Sequence, residues 1–148
     1  ETAGGQVLES PYPGGGSPTD CQRTAESVLN KYVKDGKLTL DGIFACNLYS
    51  AVGMLNALDG LRDRGVNLDG TKFIGFDSDK NLIAALKGKR IDALVVQDPH
   101  RMGYLAVETL VKVLRKEKVE KFTDTGVRLV TNEALAKDES LRKLVGAE

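Results

Sequence analysis

Residues 73–99 read FIGFDSDKNLIAALKGKRIDALVVQDP. Two short apolar runs bracket SDKNLIAALKGK, which reads as a helix, and strand, helix, strand in that order is the repeating unit of a parallel sheet. Each run stops on a planar hydrogen-bonding group, Asp77 after FIGF and Gln97 after DALVV. Two buried-looking strands that end on such groups set the question of what those groups meet.

The same alternation continues on both sides. DGIFAC is an expected strand ending at Asn47, and SAVGMLNALDGLRDRG is an expected helix with Val52, Leu55, Leu58 and Leu61 on its core side and Gly65 as its stop. Upstream, Ala25, Val28, Leu29, Tyr32 and Val33 follow helical spacing up to Lys34, after a cap at Thr19 or Asp20 and before KDGK as the helix end. Ser10 to Thr19, SPYPGGGSPT, has loop composition and follows a short apolar piece at Val7 and Leu8. Downstream, MGYLAVETLVKVLRKEK is an expected helix and GVRLVT a final strand.

Strands of this kind, apolar along their length and alternating with helices, give an α/β fold: a parallel sheet between helices in a three-layer α/β/α lobe. Ligands of such sheets sit beyond the carboxyl ends of the strands. Asn47, Asp77 and Gln97 each fall at such an end. Aspartate offers acceptors, and asparagine and glutamine offer both donors and acceptors, so three neighbouring ends would form one polar floor suited to the hydroxyls of a polyol. Each residue also has a plainer use, as a helix cap at Asn47 or Asp77, with Ser78 and Asp79 equally good caps, or as a solvated strand end at Gln97.

Composition narrows the classes. Lys+Arg and Asp+Glu each number 21 in 148 residues, so nothing marks a nucleic-acid or anionic-membrane surface. No run approaches the roughly 18 apolar residues of a spanning helix, and ETAGGQ is not a secretory signal. Cys21 and Cys46 are too few for a disulfide framework and are not expected to pair. His100 has no partner motif, the GGG at Gly14 to Gly16 lacks the Lys-Ser/Thr of a phosphate loop, and no metal-ligand or cofactor motif is present, so a non-enzymatic binding role without a cofactor is expected.

In order, DGIFACN, GMLNALDGL and KFIGFDSDKNLIAALKGKRIDALVVQDPHRMGYLAVETLVKVLRKEKVEKFTDTGVRLVT resemble the C-terminal half of type 1 periplasmic sugar-binding proteins, the ribose-binding-protein-like group, which shares its fold with LacI-type effector domains. The similarity runs from about Thr24 to about Leu135. It implies a flavodoxin-like half of a two-lobed protein that clamps a monosaccharide, with Asn47, Asp77 and Gln97 on the sugar hydroxyls and Phe76 near the ring. It also implies residues 1–18 as a short strand and Pro/Gly-rich loop, 19–98 as the ligand-binding lobe, 99–122 as a helix past the hinge that packs on the N-terminal lobe, and 123–148 as the returning strand and tail.

The implied role is the substrate-binding component of an ABC-type sugar importer, in the periplasm or exported and lipid-anchored, with a membrane permease as partner and no nucleic acid. A LacI-type effector domain and an isolated half-domain without a physiological ligand are the alternatives. The family's N-terminal lobe, and an arginine that precedes the first strand seen here, have no counterpart in this chain. The helix from Arg101 to Lys116 is therefore expected to expose Leu105, Val107, Leu110, Val111, Val113 and Leu114, unless the missing lobe, its own sheet or a second copy of the chain covers them.

Overall fold

The computed structural model describes residues 4–12 and 16–147; residues 13–15 of the Pro/Gly-rich loop lie outside the described residues. The first helix, α1 (Pro18–Lys31), begins two or three residues earlier than a cap at Thr19 or Asp20 suggests. Ser17 is the cap, accepting from the Asp20 amide at 3.2 Å, and Pro18 takes the first helical position, where a missing N–H costs nothing.

KDGK closes α1 differently from expectation. Strands β1 (Val33–Lys34) and β2 (Lys37–Leu38) pair antiparallel around Asp35 and Gly36, both with positive φ. Asp-Gly is the pair that favours a two-residue hairpin turn of that backbone, so the stop signal is also a reversal signal. The strand expected near Val7 and Leu8 does not form; both side chains are exposed, and residues 4–12 join no sheet.

The main sheet has the order β3 (Gly42–Phe44), β4 (Lys72–Phe76), β5 (Ala93–Val96), β6 (Arg128–Val130). The first three are parallel, as the alternation predicts, and β6 is antiparallel to β5. That edge departs from an all-parallel reading because the chain runs from β5 through α4 (Pro99–Leu114) and a long loop before β6 and re-enters from the other end.

Helix α2 (Leu48–Asp63) follows β3, and α3 (Lys80–Lys87) follows β4. Gly65, at φ 78, ends α2: its N–H donates to Arg62 O and that of Val66 to Leu61 O, the paired closure that satisfies a helix's last carbonyls.

Packing is close where glycines allow it. A Cβ on Gly53 of α2 would stand 2.6 Å from both Cys21 Cβ and the Gln22 backbone nitrogen, and one on Gly75 of β4 would meet Leu94 at 2.9 Å and Ala51 at 3.2 Å. Phe73, Leu94 and Val130 join Leu29, Leu55, Leu58, Leu61, Leu82 and Leu86 in the core.

The opposite face of the sheet is different. Strand register places Phe44, Ile74, Phe76, Val95 and Leu129 there, none of them buried, with Phe44 and Leu129 about three-fifths exposed at 60% and 58%. Of the two helical layers of an α/β/α sandwich, this chain builds the one on the Phe73 face.

Two short helices complete the chain where a tail was expected, α5 (Asn132–Lys137) and α6 (Glu139–Val145). Leu135, Leu141 and Val145 carry them into the core, and Asn132 donates to Leu86 O at the end of α3. Asp138 links them: its carboxylate accepts from Ser140 Oγ at 2.7 Å and from the Leu141 amide at 3.0 Å, and pairs with Arg128. The hydrogen bond from Ser140 and then that from Leu141 hold this carboxyl down from 3.8 to about 2.

Two outcomes are expected. Gly53→Val forces backbone apart at the α1–α2 contact and lowers stability by about 3 kcal/mol in urea unfolding. A carboxyl depressed in the folded state stabilises above its unfolded pKa, so the Asp138 contribution is complete near neutral pH and is lost as pH falls from 3.8 through about 2. An NMR titration of Asp138 with its midpoint near 4 rejects this.

Candidate functional site

The carboxyl ends of β3, β4 and β5 lie side by side; Asp77 and Gln97 directly follow β4 and β5, and Asn47 comes three residues after β3, at the start of α2. Each is turned by its local sequence in a different way.

Asp77 extends the ladder by one bond, donating its N–H to Val95 O at 2.8 Å, then turns into the left-handed region at φ 66. Aspartate tolerates that conformation better than most residues, at a cost of roughly 1 kcal/mol. Two residues later Asp79 caps α3, accepting from the Leu82 amide at 2.7 Å. The capping duty falls to Asp79, and Asp77 keeps its carboxylate for other partners.

One of those partners is Gln97, whose Nε2 donates to Asp77 Oδ1 at 3.0 Å. Both side chains are half-buried. Next to Gln97, Asp98 caps α4 by accepting from the Arg101 amide at 2.9 Å, and Pro99 starts the helix. β4 and β5 are thus tied at their tips by a pair of side chains, and neither side chain is spent on ending its strand.

Asn47 does serve as a cap. Its Oδ1 accepts from the Ser50 amide at 2.9 Å while Ser50 Oγ accepts from the Asn47 amide at 3.1 Å, a reciprocal box at the start of α2. The plainer use is realised at Asn47, yet it occupies only the carbonyl side of the amide.

Phe76 is the last residue of β4, beside Asp77. Its ring meets Phe44 edge-on, with centroids 6.5 Å apart and planes at 81°, on the open face of the sheet. Phe44 is a neighbour that the sequence reading did not single out; the pairing of β3 with β4 puts it on the same face as Ile74 and Phe76. Cys46, beside Asn47, and Cys21 are both free thiols, and burial pushes the Cys21 thiol up.

Surface clefts of about 490 Å³ and 310 Å³ lie elsewhere, against α1 beside Glu9 and Lys31, and beside Arg62, Lys72 and Arg90 at the opening end of β4. Among the described residues, no group of His, Cys, Asp and Glu is arranged to hold a metal ion.

Residues 1–118 match the model of the periplasmic binding protein domain. The chain belongs to that family. It is 30% identical to the ribose import binding protein of Bacillus subtilis over 112 residues, 76% of this chain and 35% of that protein. A carbohydrate transporter solute-binding protein from Agrobacterium radiobacter, solved with D-arabinose, superposes with a TM-score of 0.71 at 35% identity over 88% of this chain and 41% of its own. An ABC transporter solute-binding protein from Agrobacterium vitis, solved with D-fucose, gives 0.73 at 34% identity over 90% and 43%. The chain thus spans about a third of the length of that curated relative and about two-fifths of those structures.

A periplasmic binding domain with Asp77 in a strained conformation makes a specific stability prediction. Asp77→Ala lowers stability by about 1–2 kcal/mol, because alanine is strained at φ 66 and leaves Gln97 without its acceptor. Asp77→Asn, which tolerates the conformation, stays within about 0.5 kcal/mol of the parent in the same urea experiment.

Proposed function

We propose that this chain supplies most of one lobe of the substrate-binding component of an ABC-type sugar importer, a non-enzymatic protein that binds a monosaccharide between two lobes. The Gln97–Asp77 hydrogen bond at the tips of β4 and β5 carries this reading. It holds two half-buried polar side chains at the position where open α/β sheets meet their ligands.

Sugar binding by the similar proteins supports the same ligand class, and import as their role supports a membrane permease as partner. The protein works outside the cytoplasm, periplasmic or exported and anchored.

Unpartnered surface supports a second lobe. Helix α4 buries none of its residues, and Tyr104, Val107, Leu110, Val113 and Leu114 are each at least half exposed. At about 25 cal/mol per Å² such a stripe costs several kcal/mol in water, a cost removed when another lobe packs on it. Closure of the lobes would bury the sugar, and the closed form is the one a permease would read.

Calorimetric titration with D-ribose, D-arabinose and D-fucose tests the reading. In the protein carrying both lobes, Asp77→Ala is expected to lower sugar affinity at least about 100-fold while the protein stays folded. Unchanged affinity refutes the assignment, and tight binding by the isolated chain refutes the need for a second lobe.

A further inference from the structure

We propose that the cleft at the opening end of β4 and β5 is a binding site for a small phosphate dianion, free or carried as a monoester. It lies at the far end of the sheet from Asn47, Asp77 and Gln97, about 16 Å along β4 at roughly 3.3 Å per residue, and is independent of the sugar-binding reading.

The cleft, about 310 Å³ in volume, gathers cations from three places in the chain: Arg62 in the last turn of α2, Lys72 at the start of β4, and Lys89 and Arg90 between α3 and β5. Asp59 ties two of them together. One of its oxygens accepts from Arg62 Nη1 at 2.7 Å and the other from Arg90 Nη1, so a single carboxylate stands between two guanidiniums and one positive charge is left over. Of the five N–H groups on each guanidinium, Arg90 gives one to Asp59, and Arg62 gives one to Asp59 and one, at 3.5 Å, to the Arg90 carbonyl. Two forks held side by side with N–H groups to spare match the oxygens of a phosphate.

The carboxylates of the cleft do not cancel this. Asp92 pairs with Lys72 at 2.8 Å, but its other oxygen accepts from the Phe73 amide at 2.8 Å and fixes it to the backbone of β4. Asp69 lines the cleft as well, so four cations face three carboxylates once Asp59 is included. Leu58 and Phe73, both buried, close the back of the cleft with apolar surface, which strengthens a charge interaction in front of it.

Lys89 is placed there at a cost. It follows Gly88 at the end of α3 with φ 57, a conformation glycine adopts freely and lysine does not. Its N–H donates to Leu86 O at 3.0 Å and that of Arg90 to Ala85 O at 2.8 Å, a helix closure that glycine makes without strain. Cations complement the negative end of a helix, and that accounts for Arg62 and Lys87 in the last turns of α2 and α3. It does not call for a lysine at the one strained position beside them. Among the described residues the Lys89 ammonium pairs with no carboxylate, and a strained side chain of this kind is kept where a ligand uses it.

The strain supplies the test, because Lys89→Gly removes the charge and relieves the backbone together. Inorganic phosphate and α-glycerophosphate are titrated into the whole protein and its Lys89→Gly and Arg62→Gln variants at constant ionic strength, with chloride as the balancing ion. Backbone amide NMR signals of residues 88–92 report binding, and melting temperature is recorded for each protein. Expected is a saturable shift in the parent, at least about fivefold weaker in both variants, while Lys89→Gly melts at or above the parent. The tighter of the two probes identifies the group as free or esterified.

A parent that does not saturate with either probe overturns the proposal. So does a Lys89→Gly variant that binds within about twofold of the parent, since the strained lysine would then serve no ligand. Shifts that chloride alone reproduces at equal ionic strength also overturn it, because they would report screening of the Arg62–Asp59–Arg90 cluster.

Discussion

The fold depends on how closely α2 can approach its neighbours. Gly53 lets the backbone of α1 come within what would be 2.6 Å of a Cβ, and Gly75 lets Ala51 and Leu94 close over β4. Hydrophobic burial is non-directional, so it alone would hold α2 on the sheet at many heights and tilts. Missing side chains at two points convert that attraction into one position, because a helix can sink only where nothing projects. The N-terminus of α2 then has one location, beside the end of β3, and Asn47 is carried there as its cap.

Much of this was legible because local signals and global fold agree. The runs FIGF and ALVV appear as β4 and β5, with the helix between them, and Asp77 and Gln97 stand at their tips where the alternation puts them. What escaped reading did so for physical reasons. A strand of three or four residues is too short to display a period, so nothing in DGIFAC or FIGF says that Phe44 and Phe76 share an open face while Phe73 is buried. Helices α5 and α6 are short and largely polar; they exist because Leu135, Leu141 and Val145 reach a core assembled elsewhere. The antiparallel entry of β6 is a matter of where the chain goes after α4, which no local signal records.

Asn47 shows why a residue's two readings need not compete. Capping uses the carbonyl of the amide and ligand binding would use its NH₂, so the first duty orients the second. Asp77 makes the complementary case. Asp79 takes the capping duty, and Asp77 instead spends roughly 1 kcal/mol of backbone strain to hold a carboxylate against Gln97. Strain of that kind persists only where surrounding structure enforces it, and here the ladder bond from Asp77 to Val95 does so.

The open surfaces follow from the same logic of layers. A sheet has two faces, and this chain covers the Phe73 face with helices, while Phe44, Phe76 and Leu129 remain available on the other and α4 stands clear with its apolar residues outward. An open floor at the strand ends would pair a ligand's hydroxyls in competition with water, and each pairing would gain little while solvent could replace it. Enclosure changes the comparison, because a buried donor or acceptor left without its partner costs more than an exposed one gains. On the proposed sugar-binding reading, Asn47, Asp77 and Gln97 would gain selectivity only once a second body closed over them, and the exposed apolar residues of α4 would give that body a surface to pack on.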